Sequence, residues 1–149
     1  MPKYFLPALL GLAIAAPSLA AEGLVVVASS HDVKTTADRL VTALEHKGMK
    51  IVARVDHAAA ASGAGMELAP TELVIFGNPR VGTPLMQCAQ TVAIDLPQKA
   101  LIWQDDSGVH LAYNDPAYLA GRHNLKNCDQ VLGKVSEALA SFAQAATAP

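Results

Sequence analysis

The chain has 149 residues, of which 52% are hydrophobic and 16% are charged, and its formal net charge is -2. This composition excludes an intrinsically disordered chain, and the length suits one domain with its own hydrophobic core. Because the basic residues are scattered and the aromatic residues are few, the sequence also excludes a basic nucleic-acid-binding surface.

The beginning of the chain has the pattern of a secretory signal peptide. A lysine precedes an apolar run over residues 4–16, and small side chains follow it. Proline and glycine interrupt the run, which is short for a bilayer span, so cleavage is favoured over an uncleaved membrane anchor. We expect a signal peptide at residues 1–20 and a single domain at residues 21–149, with its core at 24–142. The protein is then periplasmic or secreted and has no integral membrane segment after cleavage.

A strand, a helix and a second strand are expected at the start of the domain. The apolar run at positions 24–28 predicts a strand that is buried on both faces or lies at the centre of a sheet. A helix follows, with Thr35 as its N-cap. Its apolar residues recur at the spacing of one helix face: Ala37, Leu40, Val41 and Leu44. Gly48 ends the helix, and alternation at positions 51–55 predicts a half-exposed strand.

The middle of the chain predicts a third strand, a short helix and a hairpin. Small residues at positions 58–65 indicate one or two helical turns and a loop, and an apolar strand is expected at positions 71–76. That strand leads into a polar turn and a short helix with Thr83 as N-cap and Pro84 as its first residue. The turn sequence at positions 105–108 predicts that the strands on either side form a hairpin.

Helices are expected in the last part of the chain. A short helix follows Pro116, and a longer one keeps the helical period of apolar residues from Cys128 to Phe142. We expect residues 143–149 to be a frayed tail. The elements together predict an α+β fold: a single domain with a mixed, largely antiparallel sheet and packed helices.

The expected mature domain contains two cysteines, Cys88 and Cys128. Export to an oxidising compartment makes a structural disulfide between them the first expectation. Free buried thiols and a redox-active pair remain alternatives, although the spacing is not that of a Cys-x-x-Cys motif.

Several motifs occur together along the chain, the longest being FGNPRVGTPLM at residues 76–86. The others lie at residues 50–57, 68–71, 95–97 and 113–116. With these motifs, the chain resembles the bacterial domain-of-unknown-function family 302, DUF302, from about residue 24 to residue 135. The resemblance implies an α+β domain with helices packed on one face of the sheet and a homodimer. It implies no established activity.

The first candidate site is the turn that contains Asn78, Arg80 and Thr83. Unsatisfied N–H groups at a helix start, together with one guanidinium, can hold a carboxylate or a phosphate. The alternative is that Asn78 and Thr83 cap backbone groups while Arg80 pairs with a surface acid such as Glu67 or Glu72.

The second candidate site combines His57 after the second strand with Asp115 after the hairpin. If both strand ends open onto one edge of the sheet, an imidazole and a carboxylate face a common cleft, as acid–base catalysis requires. The alternative is a strand-end histidine and an aspartate that caps a helix.

Metal binding is a third possibility, because imidazole and thioether groups ligate zinc and copper. The candidate residues are His31, His46, His57, His110, His123, Met49, Met66 and Met86. No pair of histidines or cysteines has the spacing of a metal motif, and the methionines also suit a role as core residues. We therefore assign no metal ligand.

The sequence predicts an exported module that binds a small anionic ligand or a protein partner at the turn of Asn78, Arg80 and Thr83. His57 and Asp115 are further candidate binding residues, no catalytic residue is assigned, and the cofactor is left open. The alternatives are a small enzyme that uses His57 and Asp115 for acid–base chemistry, and a periplasmic metal-binding protein.

Overall fold

The computed structural model describes residues 21–149, and the expected signal peptide at residues 1–20 lies outside the described residues. The strands of this part are β1 (Leu24–Ser29), β2 (Lys50–Asp56), β3 (Thr71–Gly77), β4 (Gln98–Asp105) and β5 (Gly108–Asn114). The helices are α1 (Val33–His46), α2 (His57–Gly63), α3 (Pro79–Cys88), α4 (Pro116–His123) and α5 (Asp129–Thr147), with a 3₁₀ helix at Gln90–Ile94. The strands form one sheet in the order β1-β5-β4-β3-β2, and all neighbours are antiparallel. The predicted single α+β domain is confirmed.

Helices α1 and α5 pack together against one face of the sheet. The sheet contributes Val74, Ile102 and Leu111 to the core, and the helices contribute Leu40 and Leu139. None of these five side chains is more than 4% exposed. Burial of large aliphatic side chains is the main source of stability in a domain of this size. The arrangement of helices on one face, which the family resemblance implied, is confirmed.

The other face of the sheet is also apolar. One row of paired residues crosses all the strands on this face: Val26, Ala112, Leu101, Leu73 and Val55. Successive residues of a strand point to opposite faces, and Ile102 belongs to the core, so Leu101 points away from the helices. None of the residues in this row belongs to the core that α1 and α5 cover, and we call this second face the open face.

Strand β1 lies at an edge of the sheet, so the prediction that it is central or buried on both faces is wrong. Among the described strands, it pairs with β5 alone. Its continuous apolar run has another cause. Val25 and Val27 pack against the core, while Val26 lies on the open face and is 37% exposed. An edge strand between two apolar faces therefore has the same sequence pattern as a central strand.

Helix α1 begins before the predicted N-cap. Asp32 is the N-cap, and its side chain accepts a hydrogen bond of 2.7 Å from the backbone N–H of Thr35. Thr35 is therefore inside the first turn. A carboxylate acceptor next to the free N–H groups was the stronger capping signal.

Helix α3 also begins earlier than predicted. Asn78 is the N-cap and Pro79 the first residue, whereas Thr83 and Pro84 lie inside the helix. The Asn78 carbonyl accepts a hydrogen bond of 2.9 Å from Gly82, which closes the first helical turn. Pro84 has no N–H to donate, so the Arg80 carbonyl lacks its usual partner one turn later. The Asn-Pro pair preceded the Thr-Pro pair and provided an equally good start signal.

The expected frayed tail at residues 143–149 is wrong, because α5 continues to Thr147. Ala143, Ala146 and Thr147 are buried. The Thr147 carbonyl accepts a hydrogen bond of 2.9 Å from Ser30, and the Ala148 carbonyl accepts one of 3.0 Å from the Arg39 guanidinium. These contacts with the beginning of the domain fix the end of the chain. Within residues 21–149, none of the helices combines the length and the apolar character that a membrane crossing requires.

Cys88 and Cys128 are joined in a disulfide, with their Cα atoms 6.6 Å apart. This agrees with the first of the alternatives drawn from the sequence. The bond links the last residue of α3 to the residue that precedes α5. It therefore fixes the C-terminal end of α3 against the rest of the domain.

The disulfide closes a loop with a sequence separation of 40 residues. Because the bond restricts the unfolded chain, the double substitution Cys88→Ala and Cys128→Ala should lower the free energy of unfolding by about 4 kcal/mol. Urea denaturation of the oxidised wild type and of the double variant measures the difference. A reductant should lower the stability of the wild type and leave the variant unchanged. An oxidised wild type that is no more stable than the variant contradicts the prediction.

Candidate functional site

The side chain of Asn78 serves the backbone around it. Its Oδ1 accepts a hydrogen bond of 2.9 Å from the N–H of Arg80, and its Nδ2 donates one of 3.1 Å to the carbonyl of Gly48. The alternative of a helix cap therefore describes Asn78. The same side chain also connects the start of α3 to the turn after α1.

Arg80 is exposed and does not make the ion pair considered for it. Glu72 accepts a hydrogen bond from Arg54 instead, and Glu67 forms no ion pair in the described part of the chain. Among residues 21–149, no carboxylate lies within ion-pair distance of the Arg80 guanidinium. The guanidinium is therefore available to an anionic ligand. Thr83, also exposed, lines one of the cavities described next.

Two cavities flank α3 and form what we call the α3 cleft. The larger, of about 750 Å³, lies between α3 and α5 and has Phe76 in its wall. The smaller, of about 380 Å³, lies between α3, the start of β2 and the segment before β4. Met49, Val81 and Val135 line both. Leu85 is the buried residue of α3, which packs against α5 and the 3₁₀ helix and has a cavity on each flank.

Gln98, the first residue of β4, lines both cavities. Its side chain points to the helix face, because it alternates with the core residues Ala100 and Ile102. The residue is 7% exposed, and its Nε2 and Oε1 atoms are buried with no hydrogen-bond partner within residues 21–149. Buried carboxamides are almost always paired, since an unpaired one loses its hydration without compensation. An orphaned carboxamide at the junction of two cavities is therefore the strongest sign of a ligand site.

Positive charge surrounds the larger cavity. Lys47, Arg80 and Lys134 line it, and Glu137 is the acidic residue among the described residues of its wall. None of the three basic side chains forms an ion pair within residues 21–149. Since low-dielectric walls strengthen the field of unpaired charges, this side of the cleft favours an anion.

The structure does not bring His57 and Asp115 together. His57 follows the end of β2, whereas Asp115 follows the end of β5. The register across β2, β3, β4 and β5 places these two strand ends at opposite ends of the sheet, measured along the strand direction. Asp115 accepts a hydrogen bond of 2.8 Å from Ala117 and caps α4. The two residues therefore do not share a cleft, and the capping alternative describes Asp115.

Two polar clusters outside the cleft were not singled out in the sequence. In the first, the hydroxyl and the N–H of Ser107 donate to Asp105 and hold the pKa of its carboxyl well below the usual range. His110 lies 3.2 Å from the same carboxylate and packs against the ring of Trp103. This cluster lies at the hairpin end of β4 and β5, whereas Gln98 lies at the other end of β4.

In the second cluster, His123 lies between Asp95 and Thr91. Its Nε2 is 2.5 Å from Asp95 Oδ2, and its Nδ1 is 3.1 Å from Thr91 Oγ1. The contacts join the segment after the 3₁₀ helix to the end of α4. The motif at residues 95–97 was the available sequence signal. In the described part of the chain, histidines, cysteines and acids form no group of three or more that could hold a metal ion.

Comparison with known proteins identifies a matching family, related curated proteins and a solved structure with the same fold. The family described as "Domain of unknown function DUF302" matches residues 25–142. "Fluoride-specific ion channel FluC 1" of Brucella suis biovar 1 (strain 1330) is 51% identical over 109 residues, which are 72% of this chain and 43% of that protein. "Fluoride-specific ion channel FluC 2" of Brucella melitensis biotype 1 (strain ATCC 23456 / CCUG 17765 / NCTC 10094 / 16M) is also 51% identical over 109 residues, which are 72% of this chain and 40% of that protein. The matched segment thus spans about two-fifths of these curated relatives.

A solved structure shares the fold. The "uncharacterized conserved protein DUF302 from Bacillus stearothermophilus" superposes with a TM-score of 0.76 and is 18% identical in sequence. The likeness covers 85% of this chain and 99% of the other. At this level of identity, it supports the architecture and does not identify a ligand.

The unpaired carboxamide of Gln98 should lower the stability of the ligand-free protein. In the ligand-free protein, Gln98→Met keeps the length of the side chain and removes two unpaired polar atoms, so it should raise the free energy of unfolding by about 1 kcal/mol or more. Thermal or urea denaturation measures the change. Gln104→Met, at an exposed position of the same strand, is the matched control and should change stability little. A destabilised Gln98→Met variant contradicts an unpaired carboxamide.

Proposed function

The chain belongs to the DUF302 family, and we propose that it is an exported module that binds a small anionic ligand in the α3 cleft. The observation that carries the proposal is the buried carboxamide of Gln98, which lines two cavities and has no hydrogen-bond partner among the described residues. A ligand that pairs with this group recovers hydrogen bonds that the free protein lacks.

The preference for an anion is supported by the charges on the larger cavity. Among residues 21–149, Arg80 forms no ion pair, and Lys47 and Lys134 line the same space. A guanidinium can bind a carboxylate or a phosphate through two parallel hydrogen bonds. Asn78 is not proposed as an anion ligand, because its side chain is hydrogen-bonded to the backbone of Gly48 and Arg80. These hydrogen bonds position the start of α3.

Export is supported by two independent features. Residues 1–20 have the composition of a signal peptide, and the described domain contains a disulfide between Cys88 and Cys128. Disulfides persist in oxidising compartments and are rare in the cytosol. We therefore propose a periplasmic or secreted protein.

The channel activity in the names of the relatives is not part of the proposal. The shared 109 residues make up 43% of the Brucella suis protein, and its name does not say which part carries the channel. An enzyme that uses His57 and Asp115 is disfavoured, because these residues lie at opposite ends of the sheet along the strand direction.

A second copy of the chain is the proposed occupant of the open face. A row of aliphatic side chains crosses this face, and Val26 remains 37% exposed at its edge. Contiguous apolar surface on a sheet is typical of a protein interface. Two sheets can pack face to face at about 10 Å, with the side chains of both open faces between them. The proposal is therefore a homodimer whose α3 clefts face outward.

Arg80 provides the first test of the anion site. Undecanoate, an apolar monocarboxylate, should bind the wild type, and Arg80→Ala should weaken its binding about tenfold by removing a charge-assisted hydrogen bond. Isothermal titration calorimetry measures both dissociation constants. Lys126→Ala, at an exposed position outside the cleft, is the charge-matched control and should bind like the wild type. Equal affinities of wild type and Arg80→Ala would rule out the role of Arg80.

Leu101 tests the dimer. It lies in the central strand of the open face, so Leu101→Lys places a charge in the proposed interface and should convert dimers into monomers. Size-exclusion chromatography with light scattering measures the mass. Gln104→Lys introduces the same charge at an exposed position on β4, away from the row, and should leave a dimer. A monomeric wild type, or a Leu101→Lys variant that still dimerises, contradicts the interface.

A further inference from the structure

The hydrogen-bonding capacity of Gln98 restricts what the ligand can be. A carboxamide has an acceptor oxygen and two N–H donors. Both polar atoms of Gln98 are buried and have no partner in the part of the chain that the structure describes. A complementary ligand must therefore bring a donor to Oε1 and an acceptor to Nε2. A simple carboxylate offers acceptors alone, so it would leave Oε1 buried and unpaired. The ligand needs a donor and an acceptor side by side.

An amino-acid residue in extended conformation has such an edge. Its own N–H and its own C=O point the same way, which is why facing residues of an antiparallel ladder exchange two hydrogen bonds. In an acylated amino acid, the amide N–H and one carboxylate oxygen form this edge. The N–H can donate to Gln98 Oε1 while the carboxylate oxygen accepts from Gln98 Nε2.

The charges near Gln98 distinguish an acylated from a free amino acid. Lys47, Arg80 and Lys134 line the larger cavity, which Gln98 also lines. A free ammonium group would be repelled by these cations, whereas an amide is neutral. The carboxylate keeps its charge and has a second oxygen for Arg80. Acylation therefore fits both the polar edge and the charge of the cleft.

The smaller cavity suits the acyl chain. Met49, Leu85, Met86 and Leu96 line it, and Gln98 borders it on the side of the larger cavity. Lys50 is the charged residue among the described residues of its wall, and the volume is about 380 Å³. Methionine side chains adapt to flexible apolar groups of differing shape. A chain attached to the amide can thus extend into an apolar space next to the carboxamide.

From these three matches, we infer that the ligand is an N-acyl α-amino acid with an aliphatic acyl group. Gln98 pairs with its amide N–H and one carboxylate oxygen, Arg80 binds the second carboxylate oxygen, and the smaller cavity holds the acyl chain. This inference rests on the proposed function, because it names the ligand class of the same α3 cleft.

Two ligands of matched length separate the inference from the proposed function. N-octanoylglycine and undecanoate have the same chain length and charge, and the first alone has an amide. Calorimetric titration of the wild type should show that N-octanoylglycine binds about tenfold or more tightly than undecanoate, because it makes the additional hydrogen bond to Gln98. The methyl ester of N-octanoylglycine, which lacks the charge, should bind weakly.

Variants assign the preference to Gln98. In Gln98→Met, the two carboxylates should bind with similar affinity, whereas Gln104→Met should keep the wild-type preference. Thermal denaturation without ligand checks that both variants fold. A preference for N-octanoylglycine that persists in Gln98→Met overturns the inference, and so does a methyl ester that binds as tightly as the acid.

The remaining outcomes identify which claim has failed. If undecanoate binds the wild type as tightly as N-octanoylglycine, the ligand class is overturned and the anion site stands. If neither carboxylate binds, both the ligand class and the proposed function are overturned.

Discussion

The attachment of helix α3 at its two ends is the constraint on which the rest of the site depends. At its start, the Asn78 side chain accepts from the first turn and donates to Gly48, which follows α1. At its end, the disulfide joins Cys88 to Cys128 before α5. With both ends attached to neighbouring elements, α3 packs against α5 and the 3₁₀ helix rather than on the strands. Leu85 is its buried residue, and cavities remain on both flanks.

This arrangement explains how a carboxamide can be buried without a partner. Gln98 is the first residue of β4, where it pairs with Phe76 of β3 and borders the two cavities beside α3. An aliphatic residue in its place would be better accommodated in the free protein, since unpaired buried polar groups reduce stability. Residues that reduce stability in this way are concentrated at functional sites, where a ligand provides the missing partner.

The order of the strands and helices could be predicted from the sequence, because it depends on local periodicity and turn residues. The errors came from choices that local patterns do not decide. Asn78-Pro79 and Thr83-Pro84 are both good helix starts, and tertiary contacts determine which one is used. The end of α5 depends on Ser30, more than a hundred residues earlier. Gln98 gave no sequence signal, because a glutamine at a strand start resembles a surface residue until the fold buries it.

The two faces of the sheet separate the two proposed activities. Alternation along β4 places Gln98 and Ile102 on the helix face and Leu101 on the open face. A partner on the open face therefore does not cover the α3 cleft, and a ligand in the cleft does not occupy the interface. The connection between them is the backbone of β4, which both faces share. A dimer that makes β4 more rigid would hold Gln98 in place and reduce the entropy lost on ligand binding, without contact between the two sites.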